Sequence, residues 1–530
     1  YQRAMNLLKA ITTVGGFTML SRVFGFVRDM LIANFLGAGM VADAFVVAFR
    51  LPNLFRRLFA EGAFAAAFVP LFARELEAGD GAGAEARAAA QARARAFADE
   101  AMTLLALVLV AFVAVMELIM PWAMVVLAGG FDAVPGKMEM ATELSRIAFP
   151  YLLFISLVSL QSGVLNSLGQ FAAAAAAPVL LNLCLIAALL GLTGHVETPG
   201  HALAWGVFAA GVAQFAWLAW FCRRQGFPLR LVRPRWTEKV ALLIKRILPV
   251  VFGASLYQVN LLIGTILATY VSDGAVSYLY YADRVTQLPL GVVGVAVGTA
   301  LLPLLARQLK AGDDAAAQNS QNRGLEFALL LTLPAAAACL VIPDEIIRVL
   351  FERGAFGAEA TAATASALFA YATGLPAYVL IRVLAPGFYA REDTSTPVRI
   401  AIAAMVVNIV LMLVLMKPMG HVGIALAASA SAWLNTLLLA IVLVKRGHFA
   451  LDARLRGRLP RILLATAGMV GVLEIARQNL AFLMTGATAQ QVLGLVLLVA
   501  LGLIAFAVFA LALRAAGLKD AKSMLKARDL

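Results

Sequence analysis

The residues of this chain that could do chemistry are arginines set inside apolar runs. Arg22 and Arg28, in the segment Ser21 to Asp29, fall within the stretch 7–36. As a helix that stretch is about 45 Å long at 1.5 Å per residue, so neither guanidinium reaches an end comfortably. The stretch 41–74 places Asp43 near its outer end and Arg50, Pro52, Asn53, Arg56, Arg57 and Glu61 in its middle, and Asp283-Arg284 and Arg382 repeat the theme later. A charge at a bilayer centre costs roughly 2.5–3.5 kcal/mol on insertion scales, so these residues must face a wet cavity or one another. Two readings compete. Arg28 with Asp29, or Asp283 with Arg284, can be structural pairs between helices; as a set, the arginines outnumber the nearby acids and leave several to make a cavity cationic. Arginine stays charged and forms planar, two-pronged hydrogen bonds to phosphate or carboxylate, which suits an anionic cargo.

Other chemistries find little support. No Gly-x-x-x-x-Gly-Lys loop is present, nor a soluble stretch to hold one, which excludes ATP hydrolysis by this chain. Cys184, Cys222 and Cys339 lie in or at the ends of apolar segments and the four histidines are scattered, so neither a disulfide framework nor a metal site is expected, and no cofactor. His195 and His201, in a predicted outer loop without further ligands at usable spacing, are expected to be solvated. Asp273, Glu345, Glu352 and Glu359 in outer loops lack the paired arrangement a membrane-bound glycosyltransferase or polymerase needs for base or metal work.

The elements that position the arginines follow from composition. Of 530 residues 62% are hydrophobic and 14% charged, and the mean hydropathy is +0.89, outside the range of water-soluble domains. A bilayer core needs roughly 20 helical residues to cross, and backbone groups in lipid must be satisfied internally, so the apolar runs predict helices. They lie near 7–36, 41–74, 96–126, 139–168, 174–194, 200–222, 240–271, 275–307, 321–343, 360–389, 395–417, 420–444, 459–480 and 489–514, about fourteen in all. The start carries Lys9 and no small-residue cleavage site, so a cleaved signal peptide is not expected.

The net charge of +13 does not point to nucleic acid, because the basic residues sit in short connections: Arg87, Arg93, Arg95; Arg223, Arg224, Arg230, Arg233, Arg235, Lys239; Lys445, Arg446, Arg454, Arg456, Arg458. The positive-inside rule places these loops and both termini in the cytoplasm, and the 223–239 loop is expected to bind anionic lipid headgroups. Pro52, Pro70, Pro289 and Pro303, with Gly25 and Gly291, are expected to bend the first, second and eighth helices.

The chain also repeats itself. Pro70 to Asp80 is echoed by Pro303 to Asp313, and Ala33 to Val41 by Ala268 to Val276. Helices 1–6 and 7–12 therefore read as two six-helix lobes, related by a pseudo-two-fold along the membrane normal because six is even, with two extra C-terminal helices. The expected divisions are 1–222, 223–446 and 447–530. Two lobes with a site between them is the usual build of an alternating-access transporter.

Asn6 to Lys9, Ser21-Arg22, Arg28-Asp29, Gly37 to Gly39, Ala42 to Phe45, Leu51 to Leu54, Arg56-Arg57, Phe59 to Phe64, Tyr280 to Arg284 and Leu384 to Tyr389 resemble, in order and spacing, the MurJ (MviN) family of bacterial lipid II flippases. The likeness runs from Met5 nearly to the C-terminus. It implies the multidrug/oligosaccharidyl-lipid/polysaccharide exporter fold, with a central cationic cavity and helices 13 and 14 forming an apolar groove. The implied cargo is lipid II, the undecaprenyl-diphosphate-linked disaccharide pentapeptide, flipped across the bacterial inner membrane. The family's essential cavity arginines match Arg22, Arg28, Arg56 and Arg284, its outer-side acid matches Asp43, and its basic residue on the tenth helix appears as Arg382; Asn53 and Glu61 belong to the same expected cargo-binding set. The membrane potential or an ion gradient would drive transport, and the coupling ion stays open. An exporter of another polyprenyl-diphosphate-linked glycan is the alternative, whereas a drug exporter should carry acids and aromatics for organic cations. A non-transporting scaffold would have no use for buried unpaired arginines.

Overall fold

The computed structural model describes residues 2–57, 64–78 and 83–516. Among them no strand occurs, as expected where lipid leaves backbone groups no partner but their own helix. The chain divides into two compact units, Tyr1–Ser277 and Tyr278–Leu530. The first holds α1 (Gln2–Leu36), α2 (Met40–Phe55), α3 (Phe64–Glu77), α4 (Ala84–Ala128), α5 (Lys137–Ala148), α6 (Tyr151–Ser167), α7 (Phe171–Leu192), α8 (Pro199–Arg224) and α9 (Glu238–Thr269). The second holds nearly all of α10 (Ala275–Lys310), then α11 (Asp314–Val341), α12 (Pro343–Phe351), α13 (Ala358–Tyr389), α14 (Ser395–Lys445), α15 (Ala453–Asn479), α16 (Ala481–Met484) and α17 (Thr488–Ala512). Among the described residues nine helical stretches are long and apolar enough to cross a membrane. The protein is thus an all-α, multi-pass membrane protein.

The expected spans coincide with these helices, and the departures have local causes. The run 139–168 is two helices, α5 and α6, meeting at Phe149-Pro150. The spans 395–417 and 420–444 are two halves of α14, kinked at Gly420, whose φ of 58° and ψ of −136° lie in a region glycine enters readily, two residues after Pro418. Just beyond, a Cβ on Gly423 would sit 2.3 Å from the Leu415 carbonyl oxygen, so the kink also needs a residue without a side chain there. The run 41–74 contains α2 and α3; Pro52 lies inside α2, and residues 56–57 take a wider π-type turn.

Lipid tails are as apolar as leucine, so close packing and side-chain hydrogen bonds, rather than escape from water, hold such helices together. In the first unit Phe64, Phe68 and Phe72 recur every fourth residue of α3, with stacked rings 5.3 and 5.4 Å apart, and Phe97 of α4 stacks on Phe68 at 5.5 Å. In the second, α13 and α14 are zipped along one seam: Ser429 Oγ donates to Ala370 O at 2.8 Å, Trp433 Nε1 to Thr373 O at 2.9 Å and Thr436 Oγ1 to Ala377 O at 3.1 Å. Gly374 makes that seam possible, since a Cβ there would lie 2.7 Å from the Ser429 Cα.

Candidate functional site

Each expected site residue other than Glu61 has a definite setting within its own unit. On α1, Arg28 is held from two sides. Its Nε and Nη2 donate to Asp29 Oδ1 at 3.0 and 2.7 Å, and its Nη1 donates to Asn182 Oδ1 of α7 at 2.8 Å. Asn182 in turn donates from Nδ2 to Ser21 O at 2.9 Å. Gly25 lies one turn from both, and a Cβ there would stand 3.5 Å from Asn182 Nδ2, so α7 seats its asparagine directly on α1. The Arg28–Asp29 pair, one of the two readings the sequence left open, therefore exists, yet Asn182 fixes the guanidinium as well. Arg22 is exposed on α1 and, among the described residues, makes no hydrogen bond or ion pair.

On α2, Arg56 Nε donates to Asn53 Oδ1 at 2.9 Å across one turn, and Arg50 Nε donates to Thr265 Oγ1 of α9 at 3.1 Å. Glu61 lies outside the described residues.

Asp43 is different in kind. Its side chain is fully buried, and its two oxygens accept four hydrogen bonds: from Lys137 Nζ at 2.7 Å, Gly274 N at 2.8 Å, Ser277 N at 2.8 Å and Ser277 Oγ at 2.5 Å. The two backbone donors belong to the turn that opens α10, where N–H groups have no intrahelical acceptor, and Gly274 takes the positive φ of 83° that brings its N–H round. Lys137 is also nearly inaccessible, lies 4.3 Å above the Phe131 ring, and reaches Asp273 Oδ1 at 2.5 Å. Asp43 and Lys137 together thus lock α2, the start of α5 and the segment Asp273–Ser277.

Sequence reasoning missed Lys137. The usable signal was its place: a lysine in a connection that the positive-inside rule assigns to the outer face, where an unexplained basic residue suggests an acidic partner. It also missed Asn182, which carries no charge to betray it.

In the second unit Arg284 lies over the Tyr280 ring at 4.9 Å with its Nη2 3.9 Å from Asp283 Oδ2, and Arg382 is exposed on α13 without a hydrogen bond or ion pair among the described residues. A further cluster was not anticipated. Glu326 of α11, mostly buried, accepts from Arg323, Arg458 and, at 3.1 Å, Arg454, while Arg323 also reaches Asp452 at the start of α15. Asp452 caps α15 by accepting from Leu455 N at 2.7 Å.

One expectation is overturned. His201 is not solvated: it is 6% exposed in the first turn of α8, where Gly200 is pressed against Val41 and Leu144 and the ring turns inward. His195 is exposed as expected.

All-helical units with apolar spans and with arginines set along α1, α2, α10 and α13 have the build of a multi-pass transporter. A multidrug resistance MATE family transporter of the MOP superfamily, in an inward-facing conformation, aligns with a TM-score of 0.66 and 13% identity over 82% of this chain and 98% of its own. A structure described as lipid II flippase MurJ, inward closed conformation, aligns with a TM-score of 0.76 and 22% identity over 94% and 97% of the two chains. Both likenesses are of fold. In sequence, the family described as Lipid II flippase MurJ matches residues 32–494. The Rhizobium meliloti (strain 1021) protein described as "Probable lipid II flippase MurJ" is 47% identical over 491 residues, 91% of this chain and 89% of the relative. The chain belongs to the lipid II flippase MurJ family.

Proposed function

We propose that this protein moves lipid II from the cytoplasmic to the periplasmic leaflet of the bacterial inner membrane by alternating access, driven by membrane potential or an ion gradient and without nucleotide hydrolysis or other catalysis. Family membership supplies the cargo class, and the observation that carries the reading to this chain is the set of arginines on α1, α2, α10 and α13. A diphosphate needs planar, permanently charged donors, which lysine or histidine would supply less well. Arg22 and Arg382 meet it as exposed cations. Arg28, Arg56 and Arg284 meet it with guanidinium planes already oriented by Asn182, Asn53 and Tyr280, which lowers the ordering cost of binding. Asp43 acts with Lys137 as a latch at the periplasmic end, and Glu61, outside the described residues, belongs to the same proposed cargo-binding set.

The same reading takes 1–222 and 223–446 as the rocking lobes, residues 447–530 as helices that guide the polyprenyl tail, and both termini as cytoplasmic. An exporter of another polyprenyl-diphosphate glycan would use the same arginines, so cargo identity needs its own test. Depletion should trap intact lipid II on the cytoplasmic leaflet. Single Ala substitutions at Arg22, Arg28, Arg56 or Arg284 should keep normal membrane abundance yet fail to rescue a depletion strain, with Lys restoring rescue in part. Normal rescue by all four Ala variants would end the proposal.

A further inference from the structure

His201 presents a buried nitrogen that makes no hydrogen bond among the described residues. Its Nδ1 lies 2.8 Å from Thr198 Oγ1, the hydroxyl at the N-cap of α8, so Nδ1–H can donate a hydrogen bond to that hydroxyl and leave the Nε2 lone pair facing away from it. Nε2 is inaccessible and has no hydrogen-bond partner among the described residues. It faces two carboxylates: Glu143 Oε2 of α5 stands 3.5 Å away, and Glu197, just before α8, brings an oxygen such that all three ligand atoms lie within 4.8 Å of one another.

We propose that His201 Nε2, Glu143 and Glu197 form a binding site for Zn2+ or a transition-metal dication of like chemistry. Tetrahedral zinc with bonds of about 2.0–2.2 Å sets its ligand atoms about 3.3–3.6 Å apart, which the His201–Glu143 spacing already meets. Glu143 and Glu197 are exposed, whereas His201 is buried and held at Nδ1 by the Thr198 hydroxyl. A neutral imidazole with two carboxylates carries the charge that balances a dication, and the fourth position stays open to water. The nitrogen ligand favours zinc over magnesium or calcium, which prefer all-oxygen shells. The Thr198 hydroxyl supplies the outer hydrogen bond that sets tautomer and ring orientation in such sites. Glu143 lies on the same helix as Lys137, so a bound ion would tie the α7–α8 connection to the helix that holds Asp43.

The test uses the full, tag-free chain in nanodiscs, stripped with EDTA and titrated with Zn2+ against a chromophoric chelator. Wild type should bind one ion per chain with a rise in melting temperature, and Mg2+ should not compete. Because both acids are exposed, Glu143→Gln and Glu197→Gln should fold normally and bind at least about tenfold more weakly; Thr198→Val, which removes the outer partner, should lose about 10–100-fold. Zinc binding unchanged in both Gln variants would place the ion elsewhere and overturn the proposal. So would a wild type that binds no Zn2+ at equimolar ratio, since the cluster would then be a plain ion pair.

Discussion

Replacing Lys137 with Met tests the latch most directly, because Met keeps the length of the side chain and removes its charge. Lys137 and Asp43 meet at 2.7 Å with side chains 2% and 0% exposed. Removing one partner of such a pair strands the other, at a cost of about 3–5 kcal/mol. Three donors, from Gly274 and Ser277, remain on Asp43, so the lower end of that range, about 3 kcal/mol, is expected. Asp43→Asn should cost less, because Lys137 keeps Asp273 at 2.5 Å. The double variant should be less destabilised than the sum, with a coupling of about 0.5–3 kcal/mol. Reversible unfolding in mixed micelles measures all four corners of the cycle. A second readout is thiol reactivity at Ala42→Cys, beside Asp43, which should rise in Lys137→Met as the segment loosens. Additive losses each below about 1 kcal/mol would refute the claim that the pair acts as a unit.

The remaining predictions concern the second unit. Glu326→Gln weakens the acceptor shared by Arg323, Arg454 and Arg458, and should expose the start of α15 to proteolysis while leaving α13 and α14 protected. Gly374→Ala forces a methyl against Ser429 and should cost about 1–3 kcal/mol by overpacking, read as a lower melting temperature in detergent. The Thr396 hydroxyl and backbone N–H, with Arg446, hold the Asp393 carboxyl below the usual aspartate range. Its contribution to stability is therefore complete above the unfolded value near 3.8 and lost as pH falls through the lower folded value, so the gap between wild type and Asp393→Asn should hold steady near neutral pH and close in strong acid. Polar or bulky replacements along α15 and α17, such as Val496→Asn, should slow flipping of full-length lipid II and spare binding of a short-chain analogue; equal losses for both cargoes would remove the tail-guiding role.

The fold was legible because a bilayer imposes one length and one backbone solution on every crossing, so apolar runs near twenty residues announce themselves. Even the division of α14 showed in its Pro418 and Gly420 punctuation. The elements that escaped are those the bilayer does not dictate. The helix α12, nine residues long, packs Ile347, Val349 and Phe351 inward and leaves its other face polar, which in sequence reads as a loop between spans. The break between α5 and α6 falls at Phe149-Pro150, where the run passes from the polar turns that carry Glu139, Glu143 and Arg146 into the apolar α6.

The site divides along a similar line. Rarity makes an intramembrane charge visible in sequence, but its role depends on how many partners the fold brings, and those come from far along the chain: Asn182 lies 154 residues from Arg28, and Ser277 lies 234 from Asp43. Arg22 and Asp43 send the same signal, a charge inside an apolar run, yet they end in opposite states. Asp43 has both oxygens saturated by four donors and no access to solvent, so any ligand reaching it must first break the lock. Arg22 is exposed and makes no hydrogen bond or ion pair among the described residues, so an anion meets it at no such cost. For these two residues, burial with saturation makes Asp43 a structural tie, and exposure without a partner among the described residues leaves Arg22 open to an anion. His201 combines burial with an unsatisfied nitrogen, and it is that third combination, invisible in a scattered histidine, that argues for an ion.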